Sequence, residues 1–275
     1  MSSSKDVVRV AVIQMSSQAD LDQNLARVAE LVGRAASEGA ELIALPENFA
    51  YLGPPDGRRA LAEKLDGSGP ILRAVTDLAR RHRIVLVAGA MPERSDDPAR
   101  PYQTCVAVGS DGAVLAAYRK IHLYDVTLSE TERYCESDSM TRGSEVVSVA
   151  ARGFTMGLSI CYDLRFPELY RRLVDRGAHL LLTPASFTWT TGKDHWFILV
   201  RARAIESQSY VVAAAQSGTD FAGRRTFGGS VIVDPWGDIV AQCSDGEGIA
   251  FATVDRARIE EVRRKLPSLE HRRLA

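Results

Sequence analysis

Three residues able to do acyl chemistry stand just past apolar, strand-like runs: Glu47 after Ile43-Ala44-Leu45, Lys120 after Leu115 to Tyr118, and Cys161 after Met156 to Ile160. A fourth polar residue, Ser186, follows Leu180 to Pro184 in the same way. In open parallel sheets ligands gather at the carboxyl ends of strands, so these positions are the first candidates for a site. A cysteine sulfur attacking a carboxamide needs a base for its proton, an acid for the departing ammonia and a positive group near the developing oxyanion. One glutamate and one lysine supply all three. Taken singly, each has a plainer explanation: a buried small hydrophobe for Cys161, a surface ion pair for Glu47 and Lys120. The strand-end position favours chemistry at Cys161, because Asp163 to Glu168, with Pro167 near the first turn, opens a helix whose N-terminus would lend the sulfur thiolate character. Cys105 inside a strand, and Cys135 and Cys243 in loop-like surroundings, read as structural.

The elements that must position these residues follow from periodicity. Val7 to Gln14 reads as a buried strand. Leu25, Val28, Ala29, Val32 and Ala35 then recur at helical spacing behind a cap at Asp20 or Asp22, and Gly39 stops that helix. Glu41 to Leu45 is the next strand, so strand, helix and strand form a parallel crossover. A helix from Pro70 to about His82 precedes the strand Ile84 to Ala88. Thr104 to Val108 and Ala113 to Tyr118 flank the hairpin signal Ser110-Asp111-Gly112. Val146 to Val149 and Phe154 to Ile160 flank Arg152-Gly153, a helix spans Phe166 to Arg176, and Leu180 to Leu182 is a short strand. Trp196 to Glu206 is helical, with Trp196 and Phe197 in the core, and Tyr210 to Ala215 suits a central strand. Ser129 to Arg142 reads as a polar loop. Parallel crossovers together with hairpins predict two mixed sheets packed face to face with helices outside, an α/β four-layer αββα sandwich.

The chain has 275 residues, a formal net charge of -1, 45% hydrophobic and 25% charged residues. That is ordinary globular composition, and no Pro/Gly/Ser-rich linker interrupts it, so residues 1–275 are expected to form one domain. Interspersed charges demand no basic face, which argues against a nucleic-acid partner. The polar start Met1 to Asp6 lacks the apolar core of a secretion signal and no apolar run reaches membrane-span length, so no membrane partner and a cytoplasmic location are expected. Four scattered cysteines and five histidines without ligand spacing predict free thiols, no metal and no cofactor.

Leu45-Pro46-Glu47-Asn48, Tyr118-Arg119-Lys120-Ile121-His122-Leu123 and Gly157 to Glu168, with Cys161-Tyr162-Asp163-Leu164-Arg165-Phe166-Pro167-Glu168 at its heart, resemble the three catalytic blocks of the nitrilase superfamily, in that family's order. The resemblance continues through Thr191 to Trp196 and Arg201 to Glu206 to Asp234-Pro235-Trp236-Gly237. It implies a Glu47, Lys120, Cys161 triad, a second glutamate at Glu136, the αββα fold and a homodimer or higher homo-oligomer. The Cys161 block, Cys135-Glu136-Ser137 and Leu266-Pro267 to Arg273 are most similar to the branch holding deaminated glutathione amidase and omega-amidase, which implies amides rather than nitriles. Pro184-Ala185-Ser186-Phe187 departs from that branch's usual order of small residues and bears on the pocket wall.

The resemblance thus implies a small-molecule amide substrate. In the expected mechanism Glu47 takes the Cys161 proton while Lys120 and the Tyr162 backbone N–H hold the oxyanion. Ammonia or an amine leaves, and water assisted by Glu47 or Glu136 opens the thioester. By similarity to carbamoylase relatives Arg165 binds a substrate carboxylate; its alternative is an ion pair with Glu168 or Asp163. Ser186, Phe187 and Thr188 could line the pocket. Three other functions are weaker. Gly157-Leu158-Ser159-Ile160-Cys161 lacks the last glycine of a serine-hydrolase elbow. Nitrile or N-carbamoyl hydrolysis is the enzymatic alternative, and a binding protein retaining the fold would have little reason to keep the three residues together.

Overall fold

A computed structural model describes residues 6–274; Met1 to Lys5, the polar start noted above, and Ala275 lie outside the described residues. Twelve strands build two six-stranded sheets. β1 (Val7–Gln14), β2 (Leu42–Ala44), β3 (Val85–Glu93), β4 (Tyr102–Val108) and β5 (Val114–Arg119) belong to the first. β6 (Ser148–Ala151), β7 (Phe154–Leu158), β8 (Leu180–Leu182), β9 (Tyr210–Ala213), β10 (Val231–Val233) and β11 (Ile239–Gln242) form the second, and β12 (Gly248–Asp255) returns to the first. The strand orders are β12-β1-β2-β3-β4-β5 and β11-β10-β9-β8-β7-β6. Both sheets are mixed, each with a parallel centre: β1-β2-β3 in one and β7-β8-β9 in the other.

Alternation along β1 shows why the layers form. Val8, Val10 and Val12 face the second sheet, while Ala11 and Ile13 face the helices, so every side chain of the strand's centre except Arg9 is buried. Burying one such aliphatic side chain stabilises by roughly 1.5–3 kcal/mol. The outer face of the first sheet is covered by α1 (Leu21–Ser37) and α3 (Pro70–His82), between which α2 (Pro55–Ala60) is a short exposed helix. Asp20 caps α1 by accepting from Gln23 N at 3.0 Å. α4 (Pro167–Asp175) and α5 (Trp189–Ser207) cover the second sheet through Leu169, Tyr170, Leu173, Trp196 and Val200, and α6 (Arg256–Lys265) follows β12. The αββα sandwich is the architecture expected from the sequence. Register closes it: β12 pairs antiparallel along the whole of β1, from Val7 opposite Asp255 to Gln14 opposite Gly248.

Two segments differ from expectation. α5 begins at Trp189 rather than near Trp196, because Thr188 caps it and the side-chain-free Gly192 lets Phe227 pack against the helix. The stretch expected to be a polar loop holds a small hairpin, Asp125–Thr127 against Arg133–Cys135, followed by a 3-10 turn at Glu136–Asp138. Three-residue strands are too short to show alternation, so only the backbone ladder reveals them. Among the described residues no helix is long and apolar enough to cross a membrane.

Candidate active site

β5 runs parallel to β3 because two antiparallel pairings separate them, so β2 and β5 point their carboxyl ends the same way. Glu47 and Lys120 emerge there, and Cys161 emerges beyond the carboxyl end of β7 in the facing sheet. Each is fixed by its backbone. The Glu47 turn is tied down by Leu45 N to Val87 O, 2.9 Å, and Asn48 N to Ala90 O, 3.1 Å, while Gln216 Nε2 donates to Glu47 O at 2.8 Å. Gly89 sits at a bulge in β3 where a Cβ would overlap the carbonyls of Leu45 and Pro46, so only glycine lets the turn lie this close. Lys120 N donates to Gln103 O at 2.9 Å and Cys161 N to Pro184 O at 2.8 Å. Cys161 has φ 47°, in the left-handed region, and stands at the apex where strand gives way to a 3-10 turn, Cys161–Arg165.

The side chains meet. Lys120 Nζ donates to Glu47 Oε1 at 3.0 Å and to both Glu136 oxygens at 3.0 and 2.8 Å. Glu136 Oε2 also accepts from Tyr124 N at 2.8 Å, which locks the small hairpin over the lysine. Side-chain exposure is 1% for Lys120 and 3% for Glu47 but 22% for Glu136, so the pair expected on the surface under the plainer explanation is buried and Glu136 faces the opening. Glu47 and the Ser186 backbone N–H lie near enough to the Cys161 sulfur to act on its proton.

Burial raises the Glu47 pKa from its ordinary value, against the pull of Lys120. Burial alone would depress Lys120, but Glu136 and Glu47 together hold it well above its ordinary value. Cys161 is pushed well above the usual thiol range, first by burial and then by Glu47, and the Lys120 charge and Ser186 N–H do not reverse this. The thiolate character expected from a helix N-terminus is therefore absent. The turn after Cys161 is a five-residue 3-10 segment rather than the start of α4, and burial of the sulfur, with Glu47 beside it, outweighs it. Cys161 rests as a thiol beside a carboxyl group, the arrangement for general-base activation.

A cavity of about 250 Å³ opens onto this cluster, lined among others by Glu47, Glu136, Cys161, Tyr162, Arg165, Ser186, Phe187 and Thr188. All predicted site residues except Lys120, which is buried against Glu47 and Glu136, thus line one cavity. It holds a small molecule only. Five arginines line it, Arg58, Arg133, Arg165, Arg224 and Arg225, against three carboxylates, Glu47, Glu136 and Asp220. A cavity this positive in a near-neutral chain favours anionic ligands. Arg165 lies over the Phe187 ring, 5.3 Å from its centroid, and contacts His195 Nδ1 at 3.2 Å. Its alternative partner Asp163 is engaged elsewhere, and among the described residues neither Asp163 nor Glu168 is in an ion pair with it. Thr188 caps α5 as well as lining the cavity. The four cysteines are free; Cys135, read as structural, also lines the cavity. Among the described residues no group of three or more potential ligands could hold a metal ion.

Sequence reasoning missed what joins the Lys120 and Cys161 segments. Asp163, fully buried, accepts at Oδ2 from Tyr118 OH, 2.7 Å, and Ile160 N, 2.8 Å, and at Oδ1 from His122 N, 3.1 Å, with His122 Nδ1 at 2.7 Å. One carboxylate therefore ties the residues flanking Lys120 to the residue before Cys161. His122 also stacks on Phe166, centroids 3.7 Å apart. The available signal was an aspartate two residues after the cysteine, read from sequence as a helix-opening residue or an ion-pair partner of Arg165.

A family model, "Carbon-nitrogen hydrolase", matches residues 9–264. A Synechocystis deaminated glutathione amidase is 41% identical over 269 residues, covering 95% of this chain and 97% of that one. The crystal structure of a Saccharomyces cerevisiae member of branch 10 of the nitrilase superfamily superposes with a TM-score of 0.90 at 30% identity, covering 100% of both chains. A Nesterenkonia amidase mutant, with acrylamide added to its active-site cysteine, is 26% identical with a TM-score of 0.78, covering 95% of this chain and 98% of that one. A fold, a family match along nearly the whole sequence and a relative at this identity agree: the chain belongs to the carbon-nitrogen hydrolase family of the nitrilase superfamily.

Proposed function

We propose that this amidase hydrolyses the carbon-nitrogen bond of a small carboxylate-bearing amide, deaminated glutathione or an omega-amide, through a thioester on Cys161. The observation that carries the proposal is the Lys120 ammonium held between Glu47 and Glu136 beside the Cys161 sulfur, at the base of an arginine-rich cavity. Glu47 takes the thiol proton as sulfur bonds to the amide carbon, and the carbonyl electron pair moves onto oxygen. Lys120 and the Tyr162 N–H, a first-turn donor, hold that oxyanion. Collapse breaks the carbon-nitrogen bond, and Glu47 returns its proton to the departing nitrogen. Water, deprotonated by Glu47 or Glu136, then opens the thioester to the acid and restores the thiol. Arg165, with no carboxylate partner among the described residues, takes a substrate carboxylate; Ser186, Phe187 and Thr188 form the wall.

The name of the Synechocystis relative supports deaminated glutathione, in which a 2-oxoglutaryl group is joined by an amide to cysteinylglycine. The assay supplies that compound, 2-oxoglutaramate, N-carbamoyl amino acids, and a matched nitrile and amide, and follows amine or ammonia release. Preferred turnover of the nitrile or carbamoyl compound would replace this assignment. The chain is further proposed to be one domain acting as a cytoplasmic homodimer. Ile198 and Ile205, exposed on α5, supply apolar surface for association, and elution as a monomer on sizing would refute the dimer.

A further inference from the structure

Arg58 is the one arginine of the cavity that comes from α2, on the first-sheet side of the sandwich, whereas Arg165 comes from the turn after β7 on the second. Its guanidinium reaches close enough to Glu136 and Glu47 to feel both charges, and burial nevertheless lowers its pKa from the ordinary arginine value. Among the described residues it has no ion pair and no side-chain hydrogen bond; only its backbone N–H is used, donating to Pro54 O. Half-buried at the cavity wall, its side chain has five donors and no protein acceptor among the described residues, so it is free to take an anion that enters the cavity.

The segment is built to hold it there. Tyr51, buried, packs beneath α2 and donates its hydroxyl to Pro54 O at 3.3 Å. A Cβ at Gly57, next to Arg58, would overlap the Tyr51 ring and hydroxyl, so the glycine permits this close packing. The remaining basic residues are committed or peripheral: Arg224 pairs with Asp220 at 2.8 Å, Arg225 stacks on Trp189 at 3.5 Å, and Arg133 is exposed.

We propose that Arg58 is a specificity-determining residue that binds a second carboxylate of the amide, so that the site selects substrates carrying two carboxylates over those carrying one. Arg58 and Arg165 have separate neighbours, Tyr51 with the two glutamates for one and Tyr162, Phe187 and His195 for the other. They therefore read different groups. This rests on the amidase assignment above.

The test compares wild type, Arg58→Met and Arg58→Lys on deaminated glutathione and its two monomethyl esters, with iodoacetamide alkylation of Cys161 as a neutral control. Arg58→Met should lower kcat/KM on the diacid about 10- to 100-fold, mainly through KM, the loss of a charge-assisted bidentate contact. Alkylation should stay within about 3-fold of wild type. One monoester should be as poor for wild type as the diacid is for Arg58→Met, with no further loss when variant and ester are combined. Arg58→Lys should recover part of the loss. An equal loss on the diacid and both esters overturns the proposal, as does an unchanged diacid KM. Should Arg58→Met melt well below wild type, Arg58→Gln carries the same comparison. Wild type that turns over none of the three compounds would instead remove the substrate assignment itself.

Discussion

Replacing Asp163 by asparagine exchanges one oxygen for an NH2 group at the junction of the Lys120 and Cys161 segments. Both Asp163 oxygens accept from a backbone N–H, Oδ2 from Ile160 and Oδ1 from His122. The asparagine amide has one acceptor end, so whichever way it turns, its nitrogen faces a backbone donor. With nitrogen toward Ile160, the residue before Cys161 loses its anchor; with nitrogen toward His122, the segment carrying Lys120 does. A buried orphaned donor costs about 1–3 kcal/mol, and loss of a charged acceptor for Tyr118 and His122 adds to it, about 2–4 kcal/mol together. At roughly 2–4 °C per kcal/mol for a chain near this size, the melting temperature should fall by about 4–16 °C. Because Cys161 and Lys120, the proposed nucleophile and clamp, shift relative to each other, kcat should fall at least about 10-fold while KM, which the proposal assigns to the arginines, changes less than about 3-fold. Circular dichroism melts and steady-state kinetics read both. A variant that melts within about 2 °C of wild type and keeps its kcat would show that Asp163 does not couple the two segments.

Removing Lys120 leaves buried Glu47 and half-buried Glu136 facing each other across a vacated ammonium, so Lys120→Ala should lose at least about 10²-fold in kcat and about 3–5 kcal/mol of stability in denaturant titration. Cys161 alkylation, followed by mass spectrometry, should persist in that variant. The pH dependence of kcat/KM should show an acid limb above the ordinary glutamate value of about 4.3, because Glu47 works as a carboxylate and burial raises its pKa. The alkaline limb belonging to Lys120 should lie beyond the usual lysine value of about 10.4, since the two glutamates hold the ammonium. His179 accepts from Thr155 N at 3.1 Å, and burial, then Arg256 and Arg263, depress its pKa to about 4. The unfolded chain takes up this proton near pH 6.5 and the folded chain only near 4, so stability should decline as pH falls between them, and His179→Gln should flatten that slope.

The sandwich was legible because α1 and α3 bury one face each, which the period of their apolar residues states, and because β1 runs apolar on both faces as a strand between two layers does. Glu47, Lys120 and Cys161 were legible as strand-end polar residues and through the family blocks around them. Glu136 was legible only through the resemblance, because its hairpin is three residues a side and carries no alternation. Arg58 had no local signal at all: it sits in a short helix with no buried residue, and its importance comes from the cavity that α2 happens to overhang. The thiol state of Cys161 was misjudged for a related reason. A helix N-terminus can be read from proline and acidic residues, but desolvation and two nearby carboxylates depend on segments 25 residues and more away in the chain.

The central claim is that Cys161 forms the covalent bond to substrate, and the turnover of Cys161→Ala tests it most directly. With a melting profile matching wild type, that variant should hydrolyse deaminated glutathione at least about 10⁵-fold more slowly, the scale on which loss of a nucleophile acts. Retention of more than a few per cent of wild-type turnover by the folded variant would contradict the account.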